Sequence, residues 1–393
     1  MISVFIKFTL AVICLILKRK NIKISYDKAN FHVDTLSIFK RKVCVHAQFE
    51  KIKIQCLKLA SKEVELEHID LSIENNTKMV AISIAFPYCL KIKMNIRKEK
   101  HLKEIYFNIK NFSLDTFRQI FCNNTLSEYM KTAKSDILID IEARYINDKN
   151  KRFPRIQYIT HSVNDFVIVP HYLQINKKYI VDHLKRRNHL GNLYTTIDKM
   201  PPKVWQTIIC SEDPMFLIHD GFCDVTLAMA IRGAINSHHF SIGGSSITQQ
   251  LIKNALLSTE RTLYRKMEEL ILSILAENYY KLSKKDILET YINMVEMAPN
   301  IYGIEDGAKF YFEKNCCNLN TVEMLILTYA IPRPFSFFEA LKKKSPILYK
   351  NIYLHICKNR PTLKNKGLWG EEEESYVKMR KITFSPRFGT IEF

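Results

Sequence analysis

The hydrophobic period of the chain changes once, and that change divides it in two. From Asn21 to about Tyr179 apolar residues alternate with polar ones. Ile22, Ile24 and Tyr26 do so, as do Val64 with Leu66, Ile69 with Leu71 and Ile73, Ile82 with Ile84 and Phe86, Leu90 with Ile92, Met94 and Ile96, and Ile137 with Ile139 and Ile141. A period of two gives a strand one apolar face and one wet face. Turn signals at Glu74-Asn75-Asn76 and Asn147-Asp148 separate the runs. The pattern predicts a mainly-β antiparallel domain over residues 21–180, without an evident catalytic constellation. From about Asn188 the period becomes helical. Met267, Leu270, Ile271, Ile274 and Leu275 share one stripe, and Ser283-x-x-Asp286 resembles a capping box opening a helix through about Met297, stopped by Pro299. The final segment, 346–393, carries the acidic run Glu371–Glu374 and reads as a solvated tail.

A multidomain chain follows from its length of 393 residues, which suits two or three domains. A composition of 47% hydrophobic and 25% charged residues, with 10 Gly and 12 Pro, excludes disordered and fibrous classes. The formal charge of +19 suits an anionic partner: nucleic acid, lipid headgroups or a pyrophosphate-bearing substrate. A merely solubilising surface explains it equally well. No zinc-finger, helix-turn-helix or RNA-binding signal accompanies the charge, so no nucleic-acid partner is expected. The ten cysteines form no C-x-x-C pair and no His spacing completes a zinc site. Most lie in apolar runs, where free Cys acts as a small buried hydrophobe.

The run from Ile2 to Leu17 is apolar apart from Lys7 and small polar residues, and Lys18, Arg19 and Lys20 come directly after it. As a helix it reaches about 24 Å, slightly short of a ~30 Å hydrocarbon core. No small-residue cleavage site succeeds it, so residues 1–20 are expected to be an uncleaved transmembrane anchor. The basic cluster behind the anchor favours a cytoplasmic location for the domains beyond it.

Three clusters in the helical half carry candidate chemistry. In Ser211-Glu212-Asp213-Pro214-Met215-Phe216-Leu217-Ile218-His219-Asp220-Gly221, two carboxylates precede an aromatic, a His and a Gly. A carboxylate set against Phe216 and Met215 would have a raised pKa, useful to a general base. An acidic helix cap is the plainer reading. In Gly243-Gly244-Ser245-Ser246-Ile247-Thr248-Gln249-Gln250-Leu251-Ile252-Lys253-Asn254, Ser246 and Gln249 fit a capping box. Ser246, Gln250 and Lys253 then share a face, and free N–H groups at the helix start would suit a phosphate. In Arg265-Lys266-Met267-Glu268-Glu269, Arg265 and Glu269 share a face. The two cations could hold a diphosphate, or form a solvated charged face.

Taken in order, these strings resemble the signature of the family 51 peptidoglycan glycosyltransferases, the module of class A penicillin-binding proteins and of monofunctional transglycosylases. The first family motif, E-D-x-x-F-x-x-H-x-G, is matched by Glu212, Asp213, Phe216, His219 and Gly221. The second, G-G-S-T-I-T-Q-Q-L-x-K-N, is matched from Gly243 to Asn254 with Ser246 in place of Thr. The third, R-K-x-x-E, is matched by Arg265, Lys266 and Glu269. Ile287-Leu288-Glu289-Thr290-Tyr291-Ile292-Asn293 resembles the I-L-E-x-Y-L-N helix, and Tyr302-Gly303, Ala308 and Tyr311-Phe312 resemble Y-G-x-x-x-A-x-x-Y-F. Three departures stand out: Cys223 where the family often has Asp, Gly307 for Ala, and Glu313 for the Gly after Tyr-Phe.

The resemblance covers roughly residues 190–340, and places the glycosyltransferase domain at 190–345. It implies an α-helical, lysozyme-like fold with a second, membrane-dipping lobe near the apolar run Val225–Ile235. It implies polymerisation of lipid II onto the nascent glycan strand by inverting transfer, releasing undecaprenyl pyrophosphate. Glu212 would be the general base. Lys253, Arg265 and Lys266 would steady the leaving diphosphate, with Glu269 orienting them or the donor. Ser246, Gln249, Gln250 and Asn254 would bind substrate, while Asp213, Phe216 and His219 would shape the site. No cofactor is required, though a magnesium or manganese ion is compatible with the pyrophosphate. The implied location is the inner membrane, single-pass with a periplasmic catalytic domain, against the charge cue behind the anchor. Partners would be the membrane and, through the β-domain, other cell-wall synthesis proteins. No transpeptidase module is expected. A glycan hydrolase on the same fold and a non-catalytic envelope scaffold are the rivals.

Overall fold

The structure is a computed structural model. It describes residues 23–37, 42–55, 62, 64–75, 79–85, 91–98, 102–113, 115, 118–119, 130–131, 134–135, 138–148, 155–163, 167–168, 175–223, 245–260, 262–379 and 381–392. The expected anchor (1–20) and the run Val225–Ile235 lie outside these residues. Among the described residues no helix is long and apolar enough to cross a membrane.

Two compact units are present. The first comprises Met1–Gln174, Asp224–Gly244 and Ser258–Glu268; the second comprises Ile175–Cys223, Ser245–Leu257 and Glu269–Phe393. Among the described residues of the first unit, nine strands form one antiparallel sheet. They are β1 (Lys23–Ser25), β2 (Lys28–Ser37), β3 (Lys42–Gln55), β4 (Val64–Asn75), β5 (Met79–Ala85), β6 (Lys91–Lys98), β7 (Leu102–Ser113), β9 (Leu138–Asp148) and β10 (Arg155–Val163). β8 (Lys134–Ser135) and β11 (Val167–Ile168) pair separately. From β3 to β7 each strand pairs with the next, so the sheet is a meander; β9 and β10 extend it, while β1 and β2 share one edge of β3.

The alternation seen in the sequence becomes a continuous apolar face. Ile73 pairs with Ile82 and Ile82 with Met94, while Val80 pairs with Ile96 and Ile96 with Ile105. Ile73, Ile82, Met94 and Ile105 are buried together, with Leu71, Val80, Ile84 and Ile96 packed on them. The alternation slips by one residue within β3 and β4. Ala47 and Ile52 are both buried, as are Leu66 and Ile73, although their parities differ. Lys51, with φ of 48°, sits at the slip on β3. Ile52 pairs with Leu66, so the slip falls at the same level in both strands.

The second unit is helical. It contains α1 (Lys177–Arg186), α2 (Pro202–Glu212), α3 (Ile247–Leu256), the second half of α4 (Leu263–Ile274), α5 (Lys284–Met294), α6 (Ile304–Phe312), α7 (Thr321–Ala330), α8 (Pro334–Lys342), α9 (Pro346–Asn365) and α10 (Glu371–Lys378). α7 is its centre. Every residue of this helix is buried, and it packs on α2 and α9. Its one acid, Glu323, closes a capping box with Asn320 and pairs with Lys314 at 2.8 Å, so no buried charge stands alone.

Three sequence expectations need correction here. α5 ends at Met294, not Met297. Val295 turns extended, and β12 (Glu296–Ala298) pairs with β13 (Ile301–Tyr302). Pro299 therefore lies in a hairpin turn, beside Asn300 at φ 62°. The cap of α5 also differs from a reciprocal box. Ser283 accepts from the Asp286 N–H but donates its hydroxyl to the Asp286 carboxylate at 2.7 Å.

The third correction concerns 346–393, which is folded rather than a solvated tail. α9 buries Leu348, Ile352, Ile356 and Leu363. Further on, Ser385 N–H donates to the Tyr311 carbonyl at 2.7 Å, and Phe384 stacks on Phe312 at 5.1 Å. β14 (Lys381–Thr383) and β15 (Thr390–Glu392) close the segment. The acidic run Glu371–Glu374 is the first turn of α10, where the positive end of the helix dipole favours it, and Glu374 pairs with Arg360 and Lys364.

Two family departures find physical reasons in α6. A Cβ on Gly307 would lie 2.5 Å from Cγ of Met297, so the missing methyl makes room for that side chain. Glu313 caps α6 in the left-handed conformation, φ 55° and ψ 27°, where glycine is favoured. We expect Glu313→Gly to raise unfolding free energy by about 0.5–1 kcal/mol, the difference between left-handed strain and glycine's entropy cost. Urea denaturation checks this; an unchanged or lower midpoint would contradict it.

Candidate active site

α2 starts on Pro202 at its first turn and ends at Glu212, because Asp213 leaves helical geometry with φ −154°. Phe216 N–H then donates to the Asp213 carbonyl and Ile218 N–H to that of Met215, both at 2.9 Å, winding the first motif into tight turns. Phe216 is fully buried. Met215 is exposed, so it does not form the expected apolar wall.

Among the described residues, Glu212 receives one side-chain hydrogen bond, from Gln250 Nε2 to Oε2 at 3.2 Å. Its pKa is pushed up to about 7. Desolvation is the main cause; the Gln250 bond and the charges of Arg333 and Lys358 oppose it, while Asp213 adds to the rise. As a residue Glu212 is only half-buried, so the desolvated carboxyl retains a route to the surface.

Asp213, 1% exposed, ties the first two motifs together. Its Oδ2 accepts from Ile247 N–H at 3.0 Å and from His219 Nε2 at 2.9 Å. The acceptor-only carboxylate makes Nε2 of His219 the donor of that bond. The His219 carbonyl in turn accepts from Lys284 Nζ at 2.6 Å. Lys284 also pairs with Glu277 at 2.6 Å and lies 4.5 Å from the Phe216 ring centre, while Thr248 donates to Glu277.

The predicted capping box opens α3. Gln249 N–H donates to Ser246 Oγ at 3.1 Å, and Ser246 N–H donates to Gln249 Oε1 at 2.9 Å. With Asp213 on Ile247, the N–H groups of residues 246, 247 and 249 all have partners within the chain. The idea that this helix start offers free donors to a phosphate is therefore corrected. Ser246 and Gln249 are buried and engaged in capping; Ser246 Oγ also donates to the Gly221 carbonyl at 2.6 Å. Gly243 and Gly244 lie outside the described residues.

Of the shared face on α3, Gln250 meets Glu212, and half-buried Lys253 follows one turn later. Asn254 reaches α5 instead, donating to Met294 Sδ at 3.6 Å, while its carbonyl accepts from Arg187 at 3.0 Å. Glu269 is buried, and its carbonyl accepts from Ser273 Oγ at 2.7 Å. Arg265 and Lys266 lie on the part of α4 grouped with the β-unit, outside the unit that holds Glu212. Arg265 is buried and Lys266 half-buried, so this is not a solvated charged face.

α5 braces the site from behind. Tyr291, fully buried, donates its hydroxyl to Gln250 Oε1 at 3.0 Å. Glu289 accepts from Tyr194, Ile197 N–H and Lys177, and Asn293 exchanges hydrogen bonds with both backbone groups of Thr195. These bonds pin the segment before α2.

Sequence reading missed Arg333, Lys358 and His355. Arg333 precedes α8 and lies 4.2 Å above the Tyr329 ring, while Lys358 and His355 are on α9, read as tail. Half-buried His355 has its pKa pushed down to about 4 by desolvation, so it is neutral at pH 7. It contacts Ser211 Oγ at 3.3 Å and Thr328 Oγ1 at 3.1 Å, joining α9 to the last turn of α2. Only a helical period in 346–365 could have flagged Lys358 and His355.

A desolvated carboxylate with one amide donor and nearby cations can accept a proton from a hydroxyl and bind an anionic leaving group. Residues 178–352 match the family model described as Transglycosylase. The chain is 35% identical over 159 residues to penicillin-binding protein 1A of Escherichia coli, covering 40% of this chain and 18% of that protein. It is 33% identical to the biosynthetic peptidoglycan transglycosylase of Nitrosomonas eutropha (40% of this chain, 63% of the relative) and 29% identical to that of Chromobacterium violaceum (42% and 73%). The chain thus spans about a fifth of the Escherichia coli relative, 18% of its length, and most of the shorter two.

Gly221 is the most constrained backbone position of the site. Its φ is +88°, and a Cβ there would lie 2.7 Å from the Ser273 carbonyl oxygen. We expect Gly221→Ala to cost more than about 1 kcal/mol in stability. Chemical denaturation beside the wild type tests this; equal stability would contradict the close approach.

Proposed function

We propose that the helical unit is a peptidoglycan glycosyltransferase that polymerises lipid II, with Glu212 as general base. The observation that carries this is the Glu212 carboxylate, desolvated yet partly reachable, at the end of α2 with Gln250 as its donor. Near pH 7 such a group is divided between a form able to accept a proton and one able to return it. In the proposed reaction Glu212 takes the proton of the acceptor sugar hydroxyl. The oxygen attacks the donor's anomeric carbon with inversion, and the bond to the lipid pyrophosphate breaks. That leaving group is a weak base and needs charge rather than a proton. Lys253, Arg265 and Lys266 are assigned to it, with Glu269 holding their arrangement, and Gln250 meets substrate beside Glu212. Among the described residues no group of three or more His, Cys, Asp or Glu side chains could hold a metal ion. A magnesium or manganese ion would travel as counter-ion on the diphosphate, and no step is routed through it.

The remaining proposals follow from the substrate. A polyprenyl-linked donor requires work at a membrane surface, so we assign residues 1–20 as anchor and the periplasmic side as location. A lysozyme-like arrangement with a membrane-dipping lobe around Val225–Ile235 belongs to the same reading. The β-unit is assigned to partner proteins of the cell wall. A glycan hydrolase is disfavoured by the pyrophosphate-directed cations.

Incubating the full chain with labelled lipid II tests the reading. We expect glycan polymer from the wild type and a loss of more than about 100-fold in Glu212→Gln. Polymerisation near wild-type level by that variant would refute the base. The wild-type rate should rise with pH and level off above about 7, because only the ionised carboxylate accepts a proton. An acid limb near 4 would contradict the assignment.

A further inference from the structure

We infer that Tyr291 is a positioning residue that sets which end of the Gln250 amide meets Glu212. The inference rests on Glu212 being the base, and adds a residue that touches neither substrate nor the reacting atoms.

A glutamine amide has a donor end and an acceptor end of nearly equal shape, so its neighbours decide its orientation. Gln250 has two. Glu212 Oε2 lies 3.2 Å from Nε2, and the Tyr291 hydroxyl lies 3.0 Å from Oε1. An ionised carboxylate only accepts, so it requires the N–H end. The oxygen end then needs a donor, which the Tyr291 O–H supplies. Burial and the charges of Glu212 and Asp213 hold the Tyr291 pKa well above its ordinary value, so the phenol keeps its proton. Tyr291 is fully buried, on the face of α5 that packs against α3, and cannot reach a substrate.

Without the hydroxyl, the far end of the amide has no partner in a buried site. The N–H that remains on Glu212 also loses the polarisation supplied by the Tyr291 bond. Both effects weaken support for the ionised base.

Other charges around Glu212 are unaffected by loss of that hydroxyl. They are Asp213 at the end of α2, Arg333 before α8 and Lys358 on α9, with His219 and neutral His355 behind them. A change at Tyr291 therefore reads out through the amide.

The experiment is the pH dependence of lipid II polymerisation by the full chain, wild type beside Tyr291→Phe. We expect the acid limb of kcat to move up by about one pH unit, the scale of one net hydrogen bond. That lowers kcat roughly fivefold at pH 7, restores it near pH 9 and leaves KM unchanged. Gln250→Met, which deletes the amide itself, should move the limb in the same direction, and serves if Tyr291→Phe folds poorly. A uniform loss at every pH with an unmoved limb, or superimposable profiles, would overturn the inference. A wild type that does not polymerise lipid II would instead overturn the proposed reaction.

Discussion

One carboxyl group withdrawn from water at the end of a helix organises the helical unit. Glu212 is the last residue of α2, and its backbone ends where the helix dipole is negative. Desolvation and that dipole both oppose ionisation, while Gln250, Arg333 and Lys358 favour it. The balance leaves the group near neutrality in its titration. Each of these influences comes from a different element: the amide from α3, one cation from the turn before α8, the other from α9. The fold is thereby committed to holding four chain segments around one acid.

The same logic explains why the first two sequence motifs cannot be separated. Asp213 accepts from the first turn of α3 and from His219, and Ser246 donates back to Gly221. Gly221 must pass close to the Ser273 backbone, which excludes a side chain there. Several residues expected to contact substrate instead hold the frame: Ser246 and Gln249 cap α3, and Asn254 reaches Met294. Gln250, on the same helix, meets Glu212.

Much of this was legible from residue order. Alternation predicted the antiparallel sheet, and Ser246 with Gln249 predicted the capping box, because both patterns are local. The environment of Glu212 was anticipated in direction but for a mistaken neighbour, since Met215 turns to solvent. Long-range features were not legible. Nothing local marks Lys358 and His355 as neighbours of α2, because the acidic run after them reads as solvated. Its actual place, the first turn of α10 against Arg360 and Lys364, depends on tertiary contacts. The partner of the Ile247 N–H at the start of α3 was likewise not legible, because Asp213 lies thirty-four residues away. Cysteine placement was legible in part: Cys210, Cys223 and Cys316 are buried, but Cys317 is exposed.

Direct titration of the base examines the central claim without turnover. In the full chain carrying carboxyl-¹³C glutamate, the Glu212 resonance can be assigned by its loss in Glu212→Gln and monitored with pH. A midpoint at about 7 is the result this account predicts. A midpoint near the ordinary glutamate value of about 4.3 would show that water reaches the group freely, and would contradict it.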